Sequence, residues 1–177
     1  MRPEFKKILL DQRGAAVILW SAFTIAIPIY LVIVRNVLAN PNIGASPPVA
    51  ELARLIFWLL TLVDLGYYFY WRKGNFSSAA IIRDARTSKL FRALEEFQSN
   101  AEENAAYIVS TFVTRKVVLF AIIEAIAVYG LVLAIIGRFV GDQYFLSLLS
   151  LVLLAREFPT ANSMAILLQD IERSVPG

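Results

Sequence analysis

The sequence predicts an all-α fold: a polytopic membrane protein with four transmembrane helices and a helical cytoplasmic connection. Three observations lead there. Of the 177 residues, 58% are hydrophobic and only 18% charged, whereas soluble domains run nearer half apolar and a quarter charged. Mean hydropathy is +0.63. The charges gather between long apolar stretches, which reads as one membrane-embedded unit rather than several domains.

Residues 1–14 form a basic N-terminal segment. The first span runs from Ala15 to Leu38 and the second from Leu52 to Trp71, a hairpin over 15–71. The third covers Val117–Gly137 and the fourth Gln143–Phe158, a second hairpin over 117–158. The first three approach the roughly 20 residues that cross a hydrocarbon core about 30 Å thick. The fourth is short, so little tilt or a locally thinned bilayer is expected. Val37-Leu38-Ala39 loosely resembles a signal-cleavage site. The apolar core before it, however, exceeds the roughly 7–15 residues of a signal peptide, so a retained anchor is expected.

Basic residues set the expected orientation. The N-terminal segment holds Arg2, Lys6, Lys7 and Arg13, and the loop 36–51 holds none. The connection 72–116 holds Arg72, Lys73, Arg83, Arg86, Lys89, Arg92, Arg115 and Lys116. Only Arg138 lies between the last two spans, and the tail carries Arg156 and Arg173. Under the positive-inside rule both termini are cytoplasmic, in a membrane of the bacterial inner type. Tyr67, Tyr68, Tyr70 and Trp71 mark the inner interface of the second span. The outer loop, Asn40-Pro41-Asn42 through Ser46-Pro47-Pro48, is turn chemistry, with Ser46 placed to cap the next helix.

The connection is too long for a structureless loop. Leu90, Leu94, Phe97, Ala101, Ala105, Ile108 and Phe112 alternate threes and fours, the spacing of an amphipathic helix. With no Pro or Gly between Asn75 and Gly130, it is expected to continue into the third span as a rod about 70 Å long. Three readings of its role stay open. It is a docking surface for a partner subunit, a hairpin with 77–87, or a helix lying on the anionic leaflet through Arg83, Arg86, Lys89 and Arg92. The tail 159–177, with Met164, Leu167, Leu168 and Ile171, predicts a second interfacial helix.

Composition also excludes. Without Cys or His there is no disulfide, zinc site, iron–sulfur cluster, His-ligated haem or His acid–base chemistry. No metal site or cofactor is expected; a bound lipid, proton or sodium ion is the ligand class that remains. The net charge of +3 flanks the apolar segments, so it reports topology and not nucleic-acid binding. No Walker loop, selectivity-filter sequence, nucleophile elbow or dinucleotide fingerprint occurs, and no enzymatic activity is expected.

Two carboxylates inside the spans are the most informative residues. An ionised group at membrane depth costs at least about 2.5–3.5 kcal/mol, so such residues usually face a bundle interior and have a role. Asp64 and Glu124 each lie some eight residues from the inner end of their spans, about 11–14 Å above the boundary. Ser21 and Thr24 on the first span, Thr61 on the second, and Ser147 and Ser150 on the fourth fall near that level. A polar layer fed by all four spans is expected, with Pro28 placing a kink just above it. Glu124 also heads a stripe of small residues, Ala127, Gly130, Ala134, Gly137 and Gly141, of the kind that lets helices approach closely in lipid. The two acids are then either glue, hydrogen-bonded to Ser and Thr hydroxyls to fix helix register, or a proton or cation site, or partners for a basic residue of another subunit.

The stretch Glu124-Ala-Ile-Ala-Val-Tyr-Gly-Leu-Val-Leu-Ala134 resembles the outer helix of the ring subunit (subunit c) of rotary ATP synthases. The resemblance implies that Glu124 is an ion-binding carboxylate and Tyr129 the tyrosine of that motif. It covers 124–134 only, and the family's Gly-rich partner helix has no counterpart, since the second span has only Gly66. The function expected from the whole sequence is a small non-catalytic integral membrane subunit that packs into a larger complex. The alternative is a proton or cation translocation subunit using Glu124 and Asp64. Partners would be other membrane subunits, lipids or further copies of the chain.

Overall fold

The described residues are all-helical, with four α-helices and no strand among them. The computed structural model describes residues 3–40, 46–76, 81 and 100–160, the side chains of 3–12 and 100–108 excepted. The helices are α1, Pro3–Leu38; α2, Pro47–Asn75; α3, Asn100–Gly137; and α4, Val140–Arg156. Two stretches, Arg13–Leu38 of α1 and Val109–Gly137 of α3, are long and apolar enough to cross a membrane. Neither α2, which carries Glu51, Arg54 and Asp64, nor the 17-residue α4 belongs to that pair.

Local chemistry explains the boundaries. Pro3 opens α1 and Pro47 opens α2, where a missing N–H costs no helical hydrogen bond. The Ser46 carbonyl accepts the first helical bond of α2, from Ala50 N at 3.0 Å, which places Ser46 at the cap position. Arg72 and Lys73 occupy the last turn of α2 and Arg35 that of α1, where the helix dipole favours cations. Pro28 is exposed within α1, and the helix continues past it to Leu38. Only Arg138 and Phe139 join α3 to α4.

Of the expected connecting helix, the described part begins at Asn100 and does run unbroken into the third apolar stretch. The stretch 90–99, the proposed hairpin partner 77–87, and the tail helix with Met164, Leu167, Leu168 and Ile171 lie outside the described residues.

The chain divides into two compact units. One comprises residues 1–19, 71–118 and 158–177. Within it the end of α2 meets α3. Phe76 packs edge-on against Phe112, with centroids 5.7 Å apart, and Lys116 Nζ lies 5.1 Å from the Phe76 ring centre. Arg115, buried, donates to the Asn75 carbonyl.

The other unit, residues 20–70 and 119–157, is a four-helix bundle centred on α3. Leu119, Phe120, Ile123, Ile126, Ala127, Leu133 and Ala134 are all fully buried there. Of the α3 apolar window, 44% is buried, against 11% for that of α1. α1 packs on α3 through Phe23 against Phe120 (6.0 Å), and α2 packs on α3 through Phe57 against Tyr129 (5.5 Å). α4 packs on α2 through Phe145 against Trp58 (5.7 Å).

α3 and α4 approach most closely at Gly130. A Cβ there would stand 3.1 Å from Gln143 Cα and 3.2 Å from Leu146 Cβ, tighter than ordinary contact, so the seam requires glycine. Ala127 and Ala134, fully buried one turn to either side, extend it. Gly137 plays a different part, because the Phe139 ring folds over it and would collide with any Cβ. Gly141 does not continue the stripe: it is exposed, with open space where a side chain would go. The chain has already turned at Arg138, so helical spacing counted across the turn no longer describes one face.

Candidate functional site

The polar residues of the bundle form a set of braces between helices. Glu124 on α3 accepts a hydrogen bond from Tyr30 Oη on α1 at 2.5 Å. Asp64 on α2 accepts one from Tyr129 Oη on α3 at 2.8 Å. Glu157, buried just beyond α4, accepts one from the fully buried Tyr68 on α2, also at 2.8 Å. Trp20 Nε1 on α1 donates to the Leu154 carbonyl of α4 at 2.7 Å, and Ser150 Oγ of α4 donates to the Ile123 carbonyl of α3 at 2.8 Å. These bonds join α1 to α3, α2 to α3, α2 to the end of α4, α1 to α4, and α3 to α4.

One end of the bundle is tied by charge. Arg54 grips Asp142, in the first turn of α4, through Nε at 2.7 Å and Nη2 at 3.2 Å. Asp142 also complements the positive end of the α4 dipole. The Arg54 guanidinium lies 4.8 Å from the Phe139 ring centre. Arg138 adopts φ +58°, a left-handed conformation costing about 1–3 kcal/mol in a non-glycine residue. Its side chain donates to the Leu38 carbonyl at 2.8 Å and the Asn40 carbonyl at 3.4 Å, satisfying carbonyls at the end of α1.

The residues singled out by depth in the sequence are distributed as follows. Asp64 and Tyr129 meet each other, whereas Glu124 meets Tyr30, which depth alone did not single out. Asp64 and Glu124 are both half-buried and serve different helix pairs. The hydroxyls do not serve the carboxylates. Thr24 and Thr61 each donate to the carbonyl four residues back, Trp20 and Phe57, at 2.8 Å. This is the local bond that short hydroxyl side chains make on a helix. Ser147 accepts from Gln143 Nε2 at 3.3 Å, Ser150 bonds to backbone, and Ser21 stays half-buried on α1. Tyrosine, with a longer reach, spans the helix spacing that Ser and Thr cannot. So the expected polar layer resolves into separate tyrosine–carboxylate braces.

Among the described residues no three or more His, Cys, Asp or Glu side chains converge in a way that would hold a metal. No family model matches the chain, and no curated protein or solved structure shows significant similarity to it. The likeness to the ring subunit of rotary ATP synthases therefore rests on residues 124–134 by themselves. In this bundle Tyr129 serves Asp64, not Glu124.

Proposed function

We propose that the chain is a small non-catalytic integral membrane subunit that packs into and stabilises a larger membrane complex. All four helices cross the bilayer in this reading, with both termini on the cytoplasmic side of a bacterial-type inner membrane. The observation that carries it is the sorting of residues in the bundle. Tyr30, Tyr68, Tyr129, Trp20 and Ser150 brace one helix to another, while large apolar side chains face outward. Leu62 is 60% exposed, Val63 65%, Leu148 62% and Tyr144 61%. Water would oppose such a surface and hydrocarbon accepts it. The braces suit lipid, where a polar group without an internal partner is costly.

The test is mild solubilisation of the chain from its native membrane, followed by native mass spectrometry. Stoichiometric co-purification with other membrane subunits is expected. A chain that elutes alone under several mild detergents sinks the reading.

A second reading is proton or cation translocation through Glu124 and Asp64. It is favoured by one observation: both acids are half-buried and each accepts a hydrogen bond from a tyrosine hydroxyl, itself a proton carrier. Glu124→Gln in reconstituted vesicles separates the two. Loss of proton or sodium flux with folding intact establishes translocation, and unchanged flux with weakened assembly establishes the structural role.

A further inference from the structure

We propose that the uncovered side of α3 in the bundle is the docking site for a transmembrane helix of another subunit. That helix carries a Lys or Arg side chain at the depth of Asp64 and Glu124. The inference rests on the reading of the chain as a subunit and names the chemistry of its partner.

The neighbours of α3 can be placed around its axis at about 100° per residue. With Glu124 at zero, Glu124 and Phe120 face α1, within about 40° of each other. Ile123 and Gly130, which meet α4, fall near 250°, and Tyr129, which meets α2, falls near 140°. Between α1 and α2 a sector centred near 70° remains; Ala121, Ala125, Val128 and Val132 lie along its middle, and Ile135 and Ile136 flank it toward the Gly137 end. Ala121 is exposed and the other five are half-buried. No large apolar side chain of α3 is exposed among the described residues. Beside Glu124 the sector is floored by Ala121 and Ala125, the small part of this face, with α1 on one side and α2 on the other.

Its rims are acidic. Glu124 borders it on the α1 side, and Asp64, held by Tyr129, borders it on the α2 side. Each carboxylate accepts one hydrogen bond among the described residues, which leaves acceptor capacity on both. Three occupants are conceivable, and charge decides among them. Acyl chains offer no donor to a carboxylate at this depth. A second copy docked through the same sector would set carboxylate against carboxylate. A helix bearing Lys or Arg supplies both donor and charge, and small residues on the floor let its backbone come close.

The test uses the full chain in its native membrane with a photo-reactive phenylalanine at Ala121 or Ala125, and at Leu148 on the outer face of α4 as a control. The expected result is a protein adduct from Ala121 and Ala125, mapped to a transmembrane segment with a Lys or Arg in mid-span, and lipid adducts from Leu148. Combining Asp64→Asn with Glu124→Gln lowers the Ala125 adduct at least about tenfold. Ala121→Trp, which fills the sector at an exposed position, abolishes it without lowering the unfolding midpoint of the isolated chain. Lipid adducts at all three positions overturn the proposal, as does an adduct to a second copy or to a segment lacking Lys and Arg. If other subunits co-purify while Ala125 captures only lipid, the docking site fails and the subunit reading stands. If nothing co-purifies, both fail.

Discussion

α3 and α4 are packed against each other at Gly130, yet away from that seam they are built in opposite ways. α4 turns Tyr144, Phe145, Leu148 and Val152 outward, each more than half exposed, and buries Gln143, Ser147 and Ser150. α3 buries a continuous apolar stripe on its α4 side, and on its uncovered side offers Ala121 between two acid-bearing rims. Inside a membrane, apolarity does not distinguish a lipid face from a packing face, because acyl chains are as apolar as leucine. What separates the two outward faces is size: α4 presents Tyr144, Phe145, Leu148 and Val152, whereas the exposed residue on the bundle part of α3 is Ala121.

The shared seam gives the largest expected effect. Gly130→Leu forces a branched side chain into space where even a Cβ would stand 3.1 Å from Gln143 Cα and 3.4 Å from its carbonyl oxygen. Backbone cannot yield as a flexible side chain can, so a loss of about 3 kcal/mol in bundle stability is expected. Reversible unfolding in mixed micelles measures it. Gly141→Leu, at an exposed position with open space, serves as the matched control and should be neutral within about 0.5 kcal/mol. Equal effects at the two glycines would remove the seam from the comparison.

The braces come next. Tyr68→Phe deletes a hydrogen bond between two buried residues, Tyr68 and Glu157, and should cost about 2 kcal/mol. Tyr30→Phe and Tyr129→Phe act on half-buried acids and should cost about 1 kcal/mol each. If the rim tyrosines matter more than Tyr68, the walls of the recess are more deeply enclosed in the membrane than their burial implies. A double-mutant cycle of Arg54→Ala and Asp142→Ala sharpens the contrast further. The pair is bidentate but the Arg54 side chain is 42% exposed, so a small coupling that disappears with added salt is expected, below that of any of the tyrosine braces.

Several of these features were legible in the sequence, and the others were not for identifiable reasons. Helical class followed from composition and apolar runs. The close approach at Gly130 followed from small residues at three-and-four spacing, a local pattern on one helix. The partners of the acids did not follow. Asp64 and Tyr129 were both recognisable, but their meeting depends on the order of helices around the bundle, which depth along each span leaves undetermined. Tyr30 and Glu124 are 94 positions apart, and a single tyrosine in an apolar span gives no local sign of a carboxylate on another helix. Arg54 and Asp142 are 88 positions apart, and neither gives a local signal of the other. Thr24 and Thr61 misled for the opposite reason: their bonds to the carbonyl four residues back are entirely local, and a count of polar groups at one depth does not see them.

The smallest expected effect is the most diagnostic for the outer face of α4. Leu148 is 62% exposed. If that face meets lipid, Leu148→Ala exchanges one apolar contact for another, and stability should change by no more than about 0.5 kcal/mol. Were the face covered by protein, the same truncation would leave a cavity and cost about 2–5 kcal/mol in the assembled complex. The measurement is therefore made twice, on the isolated chain and on the complex recovered from native membranes. Small values in both leave α4 as the lipid-facing side and the recess of α3 as the side that receives a partner. A large value only in the complex would move the contact surface to α4, because a face that loses stability on truncation only when assembled is one that assembly covers.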